Sequence, residues 1–197
     1  MHMKNVCRFT LIELLAVMAL IAILGTIGFG VYSYSRNKAK ENATEALLKQ
    51  LDAGLEGLKG NGYYPKSSGG DFSVIKVTFN TDGTVDKIDF GGETLTNIAD
   101  PNNRGDRLKK ERFDAFVRAL DLQVIRNNID KDGVILDAWG GKIYYRSPGK
   151  FRTGSYDLIS AGPDGKFGKS KAAVPGDTLE EFREVGGDHV CDDIFTF

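Results

Sequence analysis

The chain has 197 residues and a formal net charge of -1, with 26 lysines and arginines set against 27 aspartates and glutamates. That length suits one modest globular domain plus an accessory segment, and the balanced charge gives a nucleic-acid partner no electrostatic support. Cys7 and Cys191 stand at opposite ends of the chain without zinc-like spacing.

From the N-terminus, the run Phe9-Thr10-Leu11-Ile12-Glu13-Leu14-Leu15 opens an apolar segment that reaches Val31, interrupted by one charge, Glu13. Residues 14 to 31 carry no charge, and with Leu11 and Ile12 they approach the ~20 residues a helix needs to cross a bilayer. Lys4 and Arg8 precede the run, which predicts a cytoplasmic N-terminus and the bulk of the chain outside. A plain signal anchor and a removed signal peptide are the competing readings. Against the second, Tyr32-Ser33-Tyr34-Ser35-Arg36 offers no clear small-x-small cleavage site. Glu13 is either a carboxylate at headgroup level or an assembly residue. In the second case a cut before Phe9 frees an amine, and the amine pairs with Glu13 of a neighbouring subunit, offsetting the cost of a charge in an apolar layer.

The periodic pattern continues beyond this segment. Ala39, Ala43, Leu47, Leu51, Leu55 and Leu58 recur at spacings of three and four, and Leu48 broadens the stripe. Charged residues from Lys38 to Glu56 occupy mainly the other faces, which predicts an amphipathic helix. Gly60 to Gly62 and Pro65 end it.

Asp71 to Phe90 reads as a hairpin around Thr81-Asp82-Gly83, and Asn97 to Gly105 as a polar turn region. A short helix from Asp106 to Leu120 is expected to bury Leu108, Phe113, Phe116, Val117 and Leu120. Residues 121 to 133 give no clear assignment. Strands are expected at Lys142–Arg146 and Ser155–Ser160, and Trp139, Tyr144, Tyr145 and Tyr156 as anchors of a small core. The fold class is therefore α+β: a long N-terminal helix, membrane half followed by amphipathic half, packed on a small antiparallel sheet.

The C-terminal third brings Asp164-Gly165-Lys166-Phe167-Gly168 together with Asp188, Asp192 and Asp193 in a glycine- and proline-rich stretch. Carboxylates and loop carbonyls are hard oxygen ligands of the kind Ca²⁺ takes; an acidic, solvated loop is the alternative. His189 and Cys191 alone cannot close a transition-metal site. Ser160 and Asp164 lack a histidine base outside the leader other than His189, so a hydrolytic triad is poorly supported and no enzyme is expected.

FTLIELLAVMALIAILG resembles the N-terminal signature of type IV pilins and of the pseudopilins of type II secretion. Asp137-Ala138-Trp139-Gly140-Gly141-Lys142, Tyr144 to Gly149, Tyr156 to Gly165 and Asp192-Asp193-Ile194 resemble the major pseudopilin, as does Tyr64-Pro65 after the helix. Residues 71 to 133 stand outside the likeness as an enlarged middle region. The chain departs from the family pattern at Arg8, where glycine precedes the cut, and at Ala138 and Gly141, where proline and asparagine are usual.

The resemblance implies a pilin-like fold and a precursor cut between Arg8 and Phe9, N-methylated at Phe9 by a prepilin peptidase, with Glu13 in the assembly role. It implies bacterial inner-membrane localisation, single-pass, with the C-terminal domain in the periplasm. Residues 1–8 would be a cytoplasmic leader, 9–32 the transmembrane and polymerisation helix, 33–62 the amphipathic helix and 63–197 the α+β head. It assigns Ca²⁺ to Asp164, Asp192 and Asp193, with carbonyls near Ser160 and Ala161 and with Asp188 as a possible replacement. The implied function is a structural subunit of a type II secretion pseudopilus. Its partners would be other copies in a homopolymer, minor pseudopilins, an inner-membrane assembly platform with its ATPase, and the exported proteins. A type IV pilin of an adhesive or motility filament, and a monomeric membrane-anchored binding protein, are the alternatives.

Overall fold

Apolar residues gather on one helix for two different reasons, and the helix carries both. Helix α1 runs from Leu11 to Lys59. The computed structural model describes residues 10–59, 64–97, 103–168, 172–176 and 194–195, and the side chains of residues 25–31 and 194–195 fall outside that description. The chain divides into two units, Met1–Ala39 and Lys40–Phe197.

In the first unit the described apolar side chains of α1 have no protein to cover them. Leu11 is 81% exposed and Leu24 is 60% exposed. Among the described residues no helix is long and apolar enough to cross a membrane. The described uncharged run, Leu14 to Leu24, rises about 16 Å, roughly half of the ~30 Å of hydrocarbon in a bilayer, and Glu13 closes it at its N-terminal end. This corrects the expected membrane half of the helix in the fold class. It likewise corrects the single-pass inner-membrane localisation.

In the second unit the stripe finds its partner. Leu47, Leu48, Leu51, Leu55 and Leu58 are buried in the main core. Its upper end differs from expectation: Ala39 and Ala43 are exposed, and the first fully buried position is Thr44. Gly54 has a packing role, because a Cβ there would lie 3.0 Å from the Phe116 ring.

The head contains two antiparallel sheets rather than one. Strands β1 (Ser73–Val74), β5 (Ile143–Arg146), β6 (Asp157–Ser160) and β7 (Ile194–Phe195) form the first in the order β1-β5-β6-β7. Strands β2 (Lys76–Phe79), β3 (Val85–Asp89) and β4 (Thr94–Thr96) form the second in the order β2-β3-β4. The expected hairpin is thus present as β2–β3. Its turn is fixed by Asp82, whose Oδ1 accepts from the Thr84 amide and hydroxyl, and by Gly83 at φ 84°. Helix α2 (Arg104–Ala119) is capped by Asn103 Oδ1, which accepts from Gly105 N at 2.9 Å. Phe113 and Phe116 enter the core as expected, but Leu108 is 48% exposed. Helix α3 (Leu122–Asn127) occupies the stretch without a sequence assignment, capped by Asp121 Oδ1, which accepts from Gln123 N and Val124 N.

Two polar features fix the head. Tyr145 and Tyr156 are fully buried; the first donates to Pro65 O and the second to Asp52 on α1. Tyr64 donates to Glu56 on α1 and meets Tyr156 edge to face at 4.7 Å. Burial pushes the Tyr145 and Tyr156 hydroxyls well above the usual tyrosine range, and for Tyr156 the bond to Asp52 adds to the shift. The second feature is a buried ion pair. Arg146 Nε and Nη2 donate to Asp157 Oδ2 at 2.9 and 2.6 Å. The guanidinium lies 4.0 Å from the Phe72 ring centroid and 4.6 Å from that of Phe151. Asp157 also accepts from the amides of Lys150, Phe151 and Arg152, so one carboxylate gathers the loop between β5 and β6.

Candidate functional site

Strand β6 leads directly into the acidic loop singled out in the sequence. Ser160 ends the strand fully buried, Ala161 follows it buried, and a 3-10 turn takes the chain from Gly162 to Asp164. Pro163 is the second residue of that turn and Gly165, at φ 67°, ends it. Asp164 is exposed, and its Oδ1 accepts from Lys166 N at 2.8 Å. Phe167 then returns to the core, against Tyr144 edge to face, and exchanges two backbone hydrogen bonds with Ala172. On the other side of β6, Ile194 of β7 pairs with Ser160, so the C-terminal segment joins the sheet at the start of this loop.

Of the expected calcium ligands, Ser160, Ala161 and Asp164 therefore stand on one short segment. Asp188, Asp192 and Asp193 lie outside the described residues, as do Arg8 and Phe9 at the expected processing point. Among the described residues no group of three or more histidine, cysteine, aspartate or glutamate side chains is placed to hold a metal. The donors that are described suit a hard cation: a carboxylate oriented by a backbone amide, and loop carbonyls. The Ser160 hydroxyl is committed elsewhere, so this residue has only its carbonyl to offer.

That commitment is the part of the site that sequence reasoning missed. Ser160 Oγ donates to Asp137 Oδ2 at 2.6 Å and accepts from Gly162 N at 3.2 Å. Asp137, 3% exposed, accepts at its other oxygen from Trp139 N and Gly141 N. The next amide, Ala138 N, donates to Thr44 Oγ1 on α1 at 3.1 Å. A Cβ at Gly141 would come within 2.8 Å of Asp137 Oδ2, so glycine is the residue this carboxylate tolerates there. Asp137 was visible in the sequence only as part of a motif, since a carboxylate twenty-three residues from its serine partner leaves no local signal.

The family model described as "Type II secretion system (T2SS), protein G" matches residues 118–175, the segment from the end of α2 through the loop just described. Over that segment the chain is similar to protein G of type II secretion. The type II secretion system core protein G of Escherichia coli (strain K12) is 38% identical over 60 residues, which cover 28% of this chain and 40% of that relative. The chain thus spans less than half the length of the curated relative it matches. No solved structure matches it.

The other candidate site is the start of α1. Thr10 and Glu13 form a capping box. Thr10 N and Oγ1 each donate to Glu13 Oε2 at 2.8 Å, and Glu13 N donates back to Thr10 Oγ1 at 3.3 Å. These bonds from Thr10, backbone first, hold the Glu13 carboxyl below its usual range. Glu13 is therefore satisfied within its own chain, beside a row of exposed apolar residues that includes Leu11, Ile12, Leu14 and Leu15.

Proposed function

We propose that this chain is a pseudopilin, a structural subunit of a type II secretion pseudopilus, polymerising through its N-terminal helix to promote protein export across the outer membrane. One observation carries the reading. From Leu11 to Leu24, the large apolar side chains of α1 are 57–81% exposed, in a chain whose residues 118–175 match the family model of type II secretion protein G. Burying one such side chain against a neighbouring copy stabilises by about 1.5–3 kcal/mol. A few helices packed laterally therefore supply ample driving force. Cleavage between Arg8 and Phe9 by a prepilin peptidase frees an amine close enough in sequence to reach Glu13 of a neighbour. Minor pseudopilins, an assembly platform with its ATPase and the exported proteins are the remaining partners, and nucleic acid is not one.

The test compares filament formation and export by wild type with Glu13→Ala and with Leu15→Ala combined with Leu20→Ala. The reading expects filaments and export to fall together in both, with the head melting unchanged. Wild-type filaments from both variants would refute it.

We further propose that Ca²⁺ binds the loop through Asp164 and the carbonyls near Ser160 and Ala161, with Asp192 and Asp193, or Asp188 in place of one, completing the set. The ion supplies a multivalent anchor for a loop with little apolar content of its own. At free calcium a hundredfold above Kd, binding stabilises by about 2.7 kcal/mol. That corresponds to a rise of about 5–10 °C in Tm for a chain of this size. Identical melting in calcium and in chelator would exclude the site.

A further inference from the structure

The calcium loop and helix α1 are joined by an unbroken polar path. It begins at Gly162 N, passes through Ser160 Oγ to Asp137 Oδ2, crosses that carboxylate to the turn it caps, and leaves by Ala138 N for Thr44 Oγ1. Ser160 and Thr44 are fully buried and Asp137 is 3% exposed, so water does not substitute along the path. Each side-chain oxygen in it is engaged in a named bond, and charge-assisted bonds to a carboxylate are the strong ones. The turn before β5 and the end of β6 therefore share a single carboxylate, and the turn meets α1 through the Ala138 amide.

We infer that Asp137 is a positioning residue that couples cation binding at the Ser160–Asp164 segment to the seating of the 138–141 turn on α1 at Thr44. The inference rests on the calcium reading above. Its physical basis is that the carbonyl at 161 belongs to the peptide unit whose amide, Gly162 N, is held by Ser160 Oγ, and the carbonyl at 160 to the unit before it. Asp137 orients Ser160, and so it orients both donors. Asp137 also caps Trp139 N and Gly141 N, which fixes the turn whose Ala138 amide meets the helix. Binding free energies couple reciprocally. A cation that tightens the loop also tightens the contact at Thr44, and loosening Thr44 weakens the cation.

The chain carries its own reporter. Trp139 is its single tryptophan, sits within the capped turn, and has a buried indole Nε1 with no hydrogen-bond partner among the described residues. The full-length protein is titrated with calcium chloride and followed by Trp139 emission and by Tm. Asp164→Asn, a ligand change, serves as the reference for lost binding. Asp137→Asn is expected to raise the apparent Kd about tenfold. Thr44→Val, which touches no part of the loop, is expected to raise it about threefold, and Thr44→Ser, which keeps the hydroxyl, to restore it. A merely structural role would lower calcium-free Tm without moving Kd. Should Asp137→Asn fail to fold, the Thr44 pair decides the matter. A wild-type calcium response that survives unchanged in Asp137→Asn and Thr44→Val would overturn the coupling alone. A wild type that ignores calcium would overturn both the coupling and the calcium reading beneath it.

Discussion

The two described stretches of α1 contain similar residues in opposite circumstances. From Leu11 to Leu24 the apolar side chains surround the helix and stay exposed. From Leu47 to Leu58 they form one stripe and vanish into a core built with Phe90, Phe116, Tyr145 and Tyr156. Composition therefore says little about what an apolar helix does. Its angular distribution says more. A stripe is a surface fitted to one partner in the same chain, whereas an all-round apolar run has more faces than its own chain covers.

The sharpest way to break this contrast is to damage the head alone. Asp157→Ala leaves the buried Arg146 guanidinium without its carboxylate and removes the acceptor for three amides. It should cost about 3–5 kcal/mol in urea unfolding and leave the exposed stretch of α1 as it is. Next comes a matched pair within the helix. Leu55→Ala should lose about 2–5 kcal/mol as a core cavity, while Leu20→Ala should stay within about 0.5 kcal/mol in the same denaturation curve. Equal losses would show that the two stretches are buried alike. Smallest is Tyr156→Phe, which removes one hydrogen bond to a charged acceptor at a cost of about 1.5–3 kcal/mol.

The same tyrosines set an alkaline limit. Burial raises the Tyr145 and Tyr156 hydroxyls above the ordinary tyrosine pKa in the folded state. Their contribution is therefore fully present below about pH 10 and is lost as pH rises through the folded values. Absorbance of tyrosinate should show the buried pair ionising only as the head unfolds.

Much of this fold was legible because it is periodic. The leucines from 47 to 58, the alternation of Val77 and Phe79 and the aromatic face of α2 each follow directly from spacing. What escaped lacks a period. Helix α3 is too short for a pattern, although Asp121 ahead of Leu122 was a usable capping signal. Strand β4 holds only three residues, and the division into two sheets depends on pairings between distant segments. Leu108 misled because its place on the α2 face, not its apolarity, decides burial. In the candidate site, Asp164 was singled out from its glycine-rich acidic context. Asp137 was not, because its role exists only once β6 has carried Ser160 alongside it. The membrane-spanning half was read from an uncharged stretch of sequence, and the described helix does not sustain it.

The Thr10–Glu13 box has one more consequence. A carboxylate already holding two hydrogens from its own chain is not a vacant socket. Any ammonium arriving from another copy must compete with those donors, and the net gain is the difference between two good arrangements. Contacts made on such terms come apart nearly as readily as they form. A fibre that repeatedly lengthens and shortens would need that kind of latch at its subunit joints.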